Sequence, residues 1–182
     1  YSMYHLRGKK KNYINRLDAV DNAGKAGFYK INIGALLGLY DWRFEALAVA
    51  NHLDYLQKKY WQSKYALSFP RIKEAEGAIK PKYPINDREY VQLICALRLC
   101  FPDIGITLST RETPHFRSHI LKLGITTMSA ESNTAPGGYS GEDNTKQFEI
   151  SDERNLSEII RLLESENYDP VMKDWSKAFS PI

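Results

Sequence analysis

Apolar residues recur along this chain with two alternating periods. Between Asn12 and Ala23, Tyr13, Ile14, Leu17 and Val20 fall at helical spacing, and Gly24 and Gly27 follow where glycine commonly ends a helix. Tyr29 to Gly34 alternates as a strand does. Asp41 then offers an N-cap to a helix from Trp42 to Leu56 that carries Phe44, Leu47, Ala48, Ala50, Leu53 and Leu56. The cycle repeats. Tyr65 to Pro70 reads as a short strand stopped by proline, and a helix capped near Asn86 or Asp87 carries Tyr90, Leu93, Ile94, Leu97 and Leu99. Ile104 to Leu108 and Ile125 to Ser129 are the third and fourth strands, separated by a helix from Thr113 to Leu123 that Gly124 stops. A last helix spans Asn155 to Leu163, and Pro170 to Trp175 reads as a short apolar tail.

Strands that alternate with helices imply βαβ units, a parallel sheet and right-handed crossovers. Four such units make half of an eight-stranded barrel, a fold of about 250 residues, so a 182-residue chain is expected to be the carboxyl-terminal half of a (β/α)8-type barrel. On this reading the fold is α/β and residues 1–182 form a single domain. Its four βα units span residues 29–165, with a helix at 12–24 before them and a tail after them. An open flavodoxin-like sheet is the alternative, because periodicity does not say whether a sheet closes. Half a barrel also leaves two bare sheet edges. Either two copies pair edge to edge, or the sheet flattens under its helices. The opening run Tyr4-His5-Leu6-Arg7-Gly8 resembles the middle of a loop, which points to a fragment or a processed chain.

Composition narrows the class. A hydrophobic content of 43% suits a globular domain, and the formal charge of +3 is mild. Part of the excess is the cluster Arg7, Lys9, Lys10 and Lys11, and no second basic stripe with interleaved aromatics comes after it, so nucleic-acid binding is not expected. The sequence shows neither a membrane-length apolar run nor a signal-peptide core at its start, and a cytoplasmic protein is expected. The two cysteines, Cys95 and Cys100, lie within or at the end of an apolar helical stretch and are read as buried, inert thiols.

In parallel α/β architectures ligands bind beyond the carboxyl ends of the strands. Those positions hold Gly34-x-Leu36-x-Gly38, then Ser68-Phe69-Pro70-Arg71, Ser109-Thr110-Arg111-Glu112 and Ser129-Ala130-Glu131-Ser132. Two guanidinium groups and several hydroxyls on one rim suit an anionic ligand, since arginine grips carboxylate or phosphate with two parallel bonds. The competing reading is ordinary salt bridges, Arg71 with Glu74 or Glu76 and Arg111 with Glu112 or Glu131. Gly34 and Gly38 leave room for a flat ring such as adenine, although turn-making alone explains their spacing. Pro136 to Gly141 could present main-chain N–H groups to an anion, a weak signal without a helix starting at once after it. No lysine stands at a strand end, which disfavours Schiff-base chemistry. His115 and His119 share a helix face at the spacing zinc enzymes use, but the residues between them lack the catalytic glutamate, so they read as a surface pair.

Taken together these motifs resemble the radical S-adenosylmethionine aromatic amino-acid lyases, and among them the tyrosine lyases of thiamine biosynthesis. The resemblance rests on Gly34-Ala35-Leu36-Leu37-Gly38-Leu39-Tyr40-Asp41-Trp42, on the three rim motifs at Ser68, Ser109 and Ser129, and on Pro136-Gly137-Gly138-Tyr139. It extends to Tyr60-Trp61-Gln62-Ser63 and Lys173-Asp174-Trp175, so it covers essentially the whole chain. It implies a reaction in which a 4Fe-4S iron-sulfur cluster cleaves S-adenosylmethionine to a 5′-deoxyadenosyl radical. That radical removes a hydrogen from tyrosine, and the Cα–Cβ bond breaks to give p-cresol and dehydroglycine (2-iminoacetate). By the same resemblance Gly34, Leu36 and Gly38 match the adenine-side motif and Phe69 with Pro70 wall that pocket. Arg111 clamps the substrate carboxylate, with Ser132 nearby and Arg71 as a second candidate. Thiazole synthase and a missing amino-terminal half-barrel are the implied protein partners.

One departure from the family pattern bears on activity. The cluster ligands C-x-x-x-C-x-x-C are absent here, and Cys95 with Cys100 has neither the number nor the spacing to replace them. These 182 residues alone are therefore expected to be inactive as a lyase. A related hydrogenase-maturation lyase carries a cysteine-containing carboxyl-terminal extension, whereas this sequence stops at Phe179-Ser180-Pro181-Ile182, which favours the thiamine branch. The alternative function is a non-catalytic anion-binding or scaffold half-barrel that docks thiazole synthase.

Overall fold

A computed structural model describes residues 1, 3–8, 11–73, 80–134 and 150–172. Their order is α1 (Tyr13–Lys25), β1 (Lys30–Gly34), α2 (Trp42–Lys59), β2 (Lys64–Ser68), α3 (Asp87–Cys100), β3 (Gly105–Leu108), α4 (Pro114–Ile120), β4 (Thr127–Met128) and α5 (Leu156–Ser165). The helix starts obey the capping chemistry of the sequence. Asn12, Asp41, Asn86, Thr113 and Asn155 each accept a main-chain N–H of the first turn. Asn86 with Glu89, and Asn155 with Glu158, close full capping boxes.

The four strands are parallel and lie in the order β1-β2-β3-β4. Each strand therefore sits beside its sequence neighbours, with no reversal of direction across the sheet. A flavodoxin-like sheet reverses its strand order and so places helices on both faces. Monotonic order with right-handed crossovers puts the helices on one face, which is the winding of a barrel wall. The chain is an α/β protein with a partial (β/α) barrel.

Alternation along the strands separates the two faces. Ile31 and Ile33 of β1, Tyr65 and Leu67 of β2, and Ile106 and Leu108 of β3 are buried against Leu53, Leu56, Leu93, Ile94 and Leu97 of the helices. Each fully buried aliphatic side chain contributes about 1.5 to 3 kcal/mol. The opposite face has a different character. In register across it stand Gly34, Ser68, Thr107 and Thr127, with Asn32 one step below in β1. Ser68 and Thr107 are partly exposed, and Asn32 and Thr127 are exposed. That hydroxyl-bearing surface is the inner side of the barrel wall.

Two elements are shorter than their hydrophobic patterns suggest, each for a local reason. The helix expected to run to Leu123 ends at Ile120 and tightens into a 3-10 turn over Leu121–Leu123, which Gly124 stops with φ 93°. The fourth strand shrinks to Thr127–Met128 because the Thr126 hydroxyl takes the Ile106 N–H at 2.8 Å, occupying a donor at the edge where the ladder would begin. Of the expected tail, Pro170, Val171 and Met172 form neither helix nor strand, and the rest lies outside the described residues.

Candidate active site

All four rim motifs emerge at the carboxyl end of the sheet. After β1 the chain does not leave the sheet but zips onto the segment after β2. The Leu37 N–H donates to the Pro70 carbonyl at 2.9 Å, and the Ile72 N–H donates to the Leu37 carbonyl at 2.9 Å. The Gly34–Gly38 loop and Pro70–Arg71 are thereby held side by side. Each glycine has a local reason to be there. A Cβ on Gly34 would lie 1.7 Å from the Ser68 carbonyl oxygen, and Gly38 adopts φ 117° while its carbonyl accepts the Tyr83 N–H at 3.0 Å. Leu36 is exposed on this loop, and Pro70 is half-buried. Phe69 belongs to the hydrophobic core, 1% exposed, on the same face as Leu67.

Arg71 is buried, and its guanidinium is shared between two carboxylates. Nε donates to Oε1 of Glu112 at 2.9 Å, Nη2 donates to Oε2 of the same group, and Nη1 donates to Oδ1 of Asp87 at 2.7 Å. The Ile85 carbonyl accepts a further bond from Nη1 at 3.3 Å. The planar group lies 4.8 Å from the ring centre of Tyr90 and 4.9 Å from that of Phe116. Burial pulls the Arg71 pKa down, but Glu112 and Asp87 outweigh burial and leave it above its usual value. Tyr90 is raised, chiefly by burial and then by the Glu112 charge. Lys73, half-buried, places Nζ 3.9 Å from Oε2 of Glu112 and 3.4 Å from the Ser151 hydroxyl.

A second buried group continues the series. Arg117 on α4 is fully buried and donates to Asp152 and to the Ser129 carbonyl. Burial lowers its pKa, with the charges of Asp152 and Glu112 acting the other way. Asp152 is 0% exposed and also accepts from Arg154, Nε to Oδ1 at 2.9 Å and Nη2 to Oδ2 at 2.6 Å. Asp87, Arg71 and Glu112 form one group of alternating charge and Arg117, Asp152 and Arg154 a second, and the charge of Glu112 acts on Arg117 across the gap between them. The series runs from the start of α3 to the segment before α5 and ties together the stretches of chain that leave β2, β3 and β4.

Arg111 sits in the turn this series surrounds. Its N–H donates to the Ser109 hydroxyl at 3.2 Å, and the Glu112 N–H to the Ser109 carbonyl at 3.4 Å. The Thr110 carbonyl accepts from Ser151 and Asp152, each at 3.0 Å. Arg111 is half-buried, and burial lowers its pKa. Ser132, also half-buried, comes after Glu131, whose φ of 49° turns the chain just beyond the Ser129 carbonyl that Arg117 holds. Arg71 and Arg111 thus stand after adjacent strands at one end of the sheet.

The competing salt-bridge reading holds in kind for Arg71, though with Glu112 and Asp87, and of the two acids it offered to Arg111, the Glu112 carboxylate turns to Arg71. Glu74, Glu76 and the Pro136–Gly141 loop lie outside the described residues. Asp87, Arg117 and Asp152 were not foreseen as members of the rim. Arg117 had a legible signal, because it stands between Phe116 and Ile120 on the buried face of α4, and a charge at such a position demands a partner. Asp152 had none, since its partner is 35 residues away.

No metal site assembles from these residues. Among the described residues no group of three or more His, Cys, Asp or Glu side chains could hold a metal ion. Cys95 is half-buried and Cys100, at the last position of α3, is exposed, which corrects the expectation that both thiols are buried. Five residues of helix rotate one about 140° from the other, so the two thiolates do not converge. A 4Fe-4S cluster does not fit this chain's own cysteines. His115 and His119 are exposed, with ring centres 4.3 Å apart. No helix among the described residues is long and apolar enough to cross a membrane.

Residues 68–169 match the Biotin and Thiamin Synthesis associated domain. The chain is similar to the 2-iminoacetate synthases of Salmonella typhimurium and Escherichia coli, 44% identical to each over 96% of this chain and 47% of the relative. It therefore spans about half the length of these proteins. Among solved structures it resembles that of HydG, a maturase of FeFe-hydrogenase, with a TM-score of 0.79, 36% identity, 89% of this chain and 36% of that one covered. HydG from Carboxydothermus hydrogenoformans gives the same TM-score of 0.79 with 39% identity over 96% of this chain and 41% of the other.

Proposed function

Since the chain belongs to the Biotin and Thiamin Synthesis associated domain family, we propose that it is the carboxyl-terminal half-barrel of a radical S-adenosylmethionine lyase that cleaves the Cα–Cβ bond of tyrosine to p-cresol and dehydroglycine. The observation that carries this reading is Arg111, set in a pinned turn at the carboxyl end of β3 in a chain so similar to two 2-iminoacetate synthases. Residues 1–182 act as one unit and are completed by an amino-terminal half. The iron-sulfur ligands belong to that other half, so this chain alone is inactive.

Arg111 holds the α-carboxylate of tyrosine through two parallel bonds, with Ser132 beside it. Fixing the substrate in this way restricts hydrogen removal to one position, which matters when the attacking species is indiscriminate. S-adenosylmethionine supplies that species when bound, and Gly34, Leu36, Gly38 and Pro70 are this chain's candidates for its adenine side, with Phe69 supporting them from the core. Arg71 is the second candidate carboxylate ligand, and Glu112 and Asp87 engage its donors. The hydroxyl row Ser68, Thr107 and Thr127 supplies a polar wall below the rim.

The test is p-cresol formation from tyrosine and S-adenosylmethionine by the full-length protein carrying this chain, loaded with its cluster and reduced. Arg111→Ala is expected to lower kcat/KM for tyrosine by about a hundredfold, within the range for loss of a buried charged contact. A well-folded, cluster-loaded protein that makes no p-cresol overturns the reading.

A further inference from the structure

The alternating charges beneath the rim offer more than stability. Buried ion pairs contribute little net free energy compared with well-packed apolar side chains, so a series of two such groups at one end of a sheet calls for another account. What distinguishes this series is where its members attach. Glu112 is the residue after Arg111, and its carboxylate is held by both nitrogens of one edge of the Arg71 guanidinium. Asp152 is joined to the turn through its N–H, which donates to the Thr110 carbonyl at 3.0 Å, and to α4 through its side chain, which accepts from Arg117. Arg117 in turn holds the Ser129 carbonyl, three residues before Ser132.

We propose that Glu112 is a positioning residue: clamped by Arg71, it fixes the Ser109–Glu112 turn so that Arg111 meets an amino-acid carboxylate in one orientation. This rests on the reading of Arg111 as the carboxylate ligand. With one of two adjacent residues anchored in a buried pair, the turn that carries the other has little freedom. Glu112 is 1% exposed and Arg71 8%, so solvent offers the carboxylate no substitute partner. The rings of Tyr90 and Phe116 flank the Arg71 plane and hold it in place. Glu112 touches no substrate on this account, and its effect passes wholly through Arg111.

Equilibrium binding of tyrosine and of tyramine, which lacks the carboxylate, to the full-length protein separates positioning from plain stability. Arg111→Ala should weaken tyrosine about a hundredfold and leave tyramine unchanged. Glu112→Gln should weaken tyrosine about tenfold with tyramine again unchanged, and adding it to Arg111→Ala should cost no further affinity. If Arg111→Ala fails to discriminate the two ligands, the carboxylate-clamp reading falls. If Arg111→Ala discriminates but Glu112→Gln affects both ligands equally, affects neither, or adds to Arg111→Ala, the positioning role is overturned. Should Glu112→Gln not fold, Arg71→Lys decides. It keeps the charge but loses the two-pronged geometry, and a tyrosine-to-tyramine ratio equal to that of the parent protein defeats the proposal.

Discussion

Arg71 and Glu112 lie 41 residues apart in the chain and meet edge to edge, Nε on Oε1 at 2.9 Å and Nη2 on Oε2, beneath the rim of a parallel sheet. Removing Glu112 leaves Nε and Nη2 of Arg71 without their carboxylate in a buried, largely waterless place, with Asp87 still engaging Nη1. Glu112→Ala should destabilise the protein by about 3 to 5 kcal/mol, whereas the apolar pair Arg71→Met with Glu112→Leu should lie within about 2 kcal/mol of the parent. Asp87, which would lose its partner in that pair, has an exposed side chain and tolerates the loss. Urea unfolding of the three proteins measures both differences, and a double variant as unstable as Glu112→Ala would contradict the argument.

Asp152 makes the same region acid-sensitive. Burial raises its pKa, but hydrogen bonds from the side chain and main chain of Arg154, with the charge and hydrogen bond of Arg117, outweigh burial and hold it below the ordinary carboxylate value. A carboxyl with a folded-state pKa below the unfolded one, about 3.9, contributes its full stability above that pH and loses it as pH falls through the folded value. Stability should therefore decline below about pH 4 to 5, and Asp152→Asn should flatten that decline while lowering stability at neutral pH. Denaturation midpoints between pH 3 and pH 7 give the two slopes, and parallel curves would show that Asp152 does not carry the effect.

Much of the fold was legible because it is local. Asn86-x-x-Glu89 and Asn155-x-x-Glu158 announce helix starts, Gly124 announces a stop, and Ile31-x-Ile33 and Ile106-x-Leu108 alternate as half-buried strands must. Strand order was legible only through the barrel expectation, since periodicity left the flavodoxin-like order open until the sheet showed β1-β2-β3-β4. The site was legible by position and not by partnership. Arg71 and Arg111 stand at strand ends in any parallel sheet, but which acid meets which arginine depends on contacts such as Arg71 to Glu112 and Arg117 to Asp152 that span tens of residues.

Gly34 separates a packing requirement from a binding one. A Cβ there would fall 1.7 Å from the main-chain oxygen of Ser68, an atom fixed in the β1–β2 ladder that cannot step aside. Gly34→Ala should cost about 3 kcal/mol or more, the upper range for overpacking. Thermal unfolding without any added ligand reads this directly. An alanine variant as stable as the parent would leave close approach of a ligand as the reason for the glycine.

Ile106 and Thr107 are neighbours in β3 that face opposite ways, and their contrast tests the barrel wall itself. Ile106 is 1% exposed among the helices, so Ile106→Ala should cost about 2 to 5 kcal/mol through lost burial and the cavity left behind. Thr107 stands in the row with Gly34, Ser68 and Thr127, where a polar surface meets solvent or a ligand and not a core. Thr107→Val should change stability by no more than about 0.5 kcal/mol. If the row lines a substrate chamber, the same change should still weaken tyrosine binding in the full-length protein, because a removed hydroxyl leaves a ligand group unpaired there. A stability loss at Thr107 comparable with that at Ile106 would mean that both faces of the sheet are core, and the sheet would then not be a barrel wall.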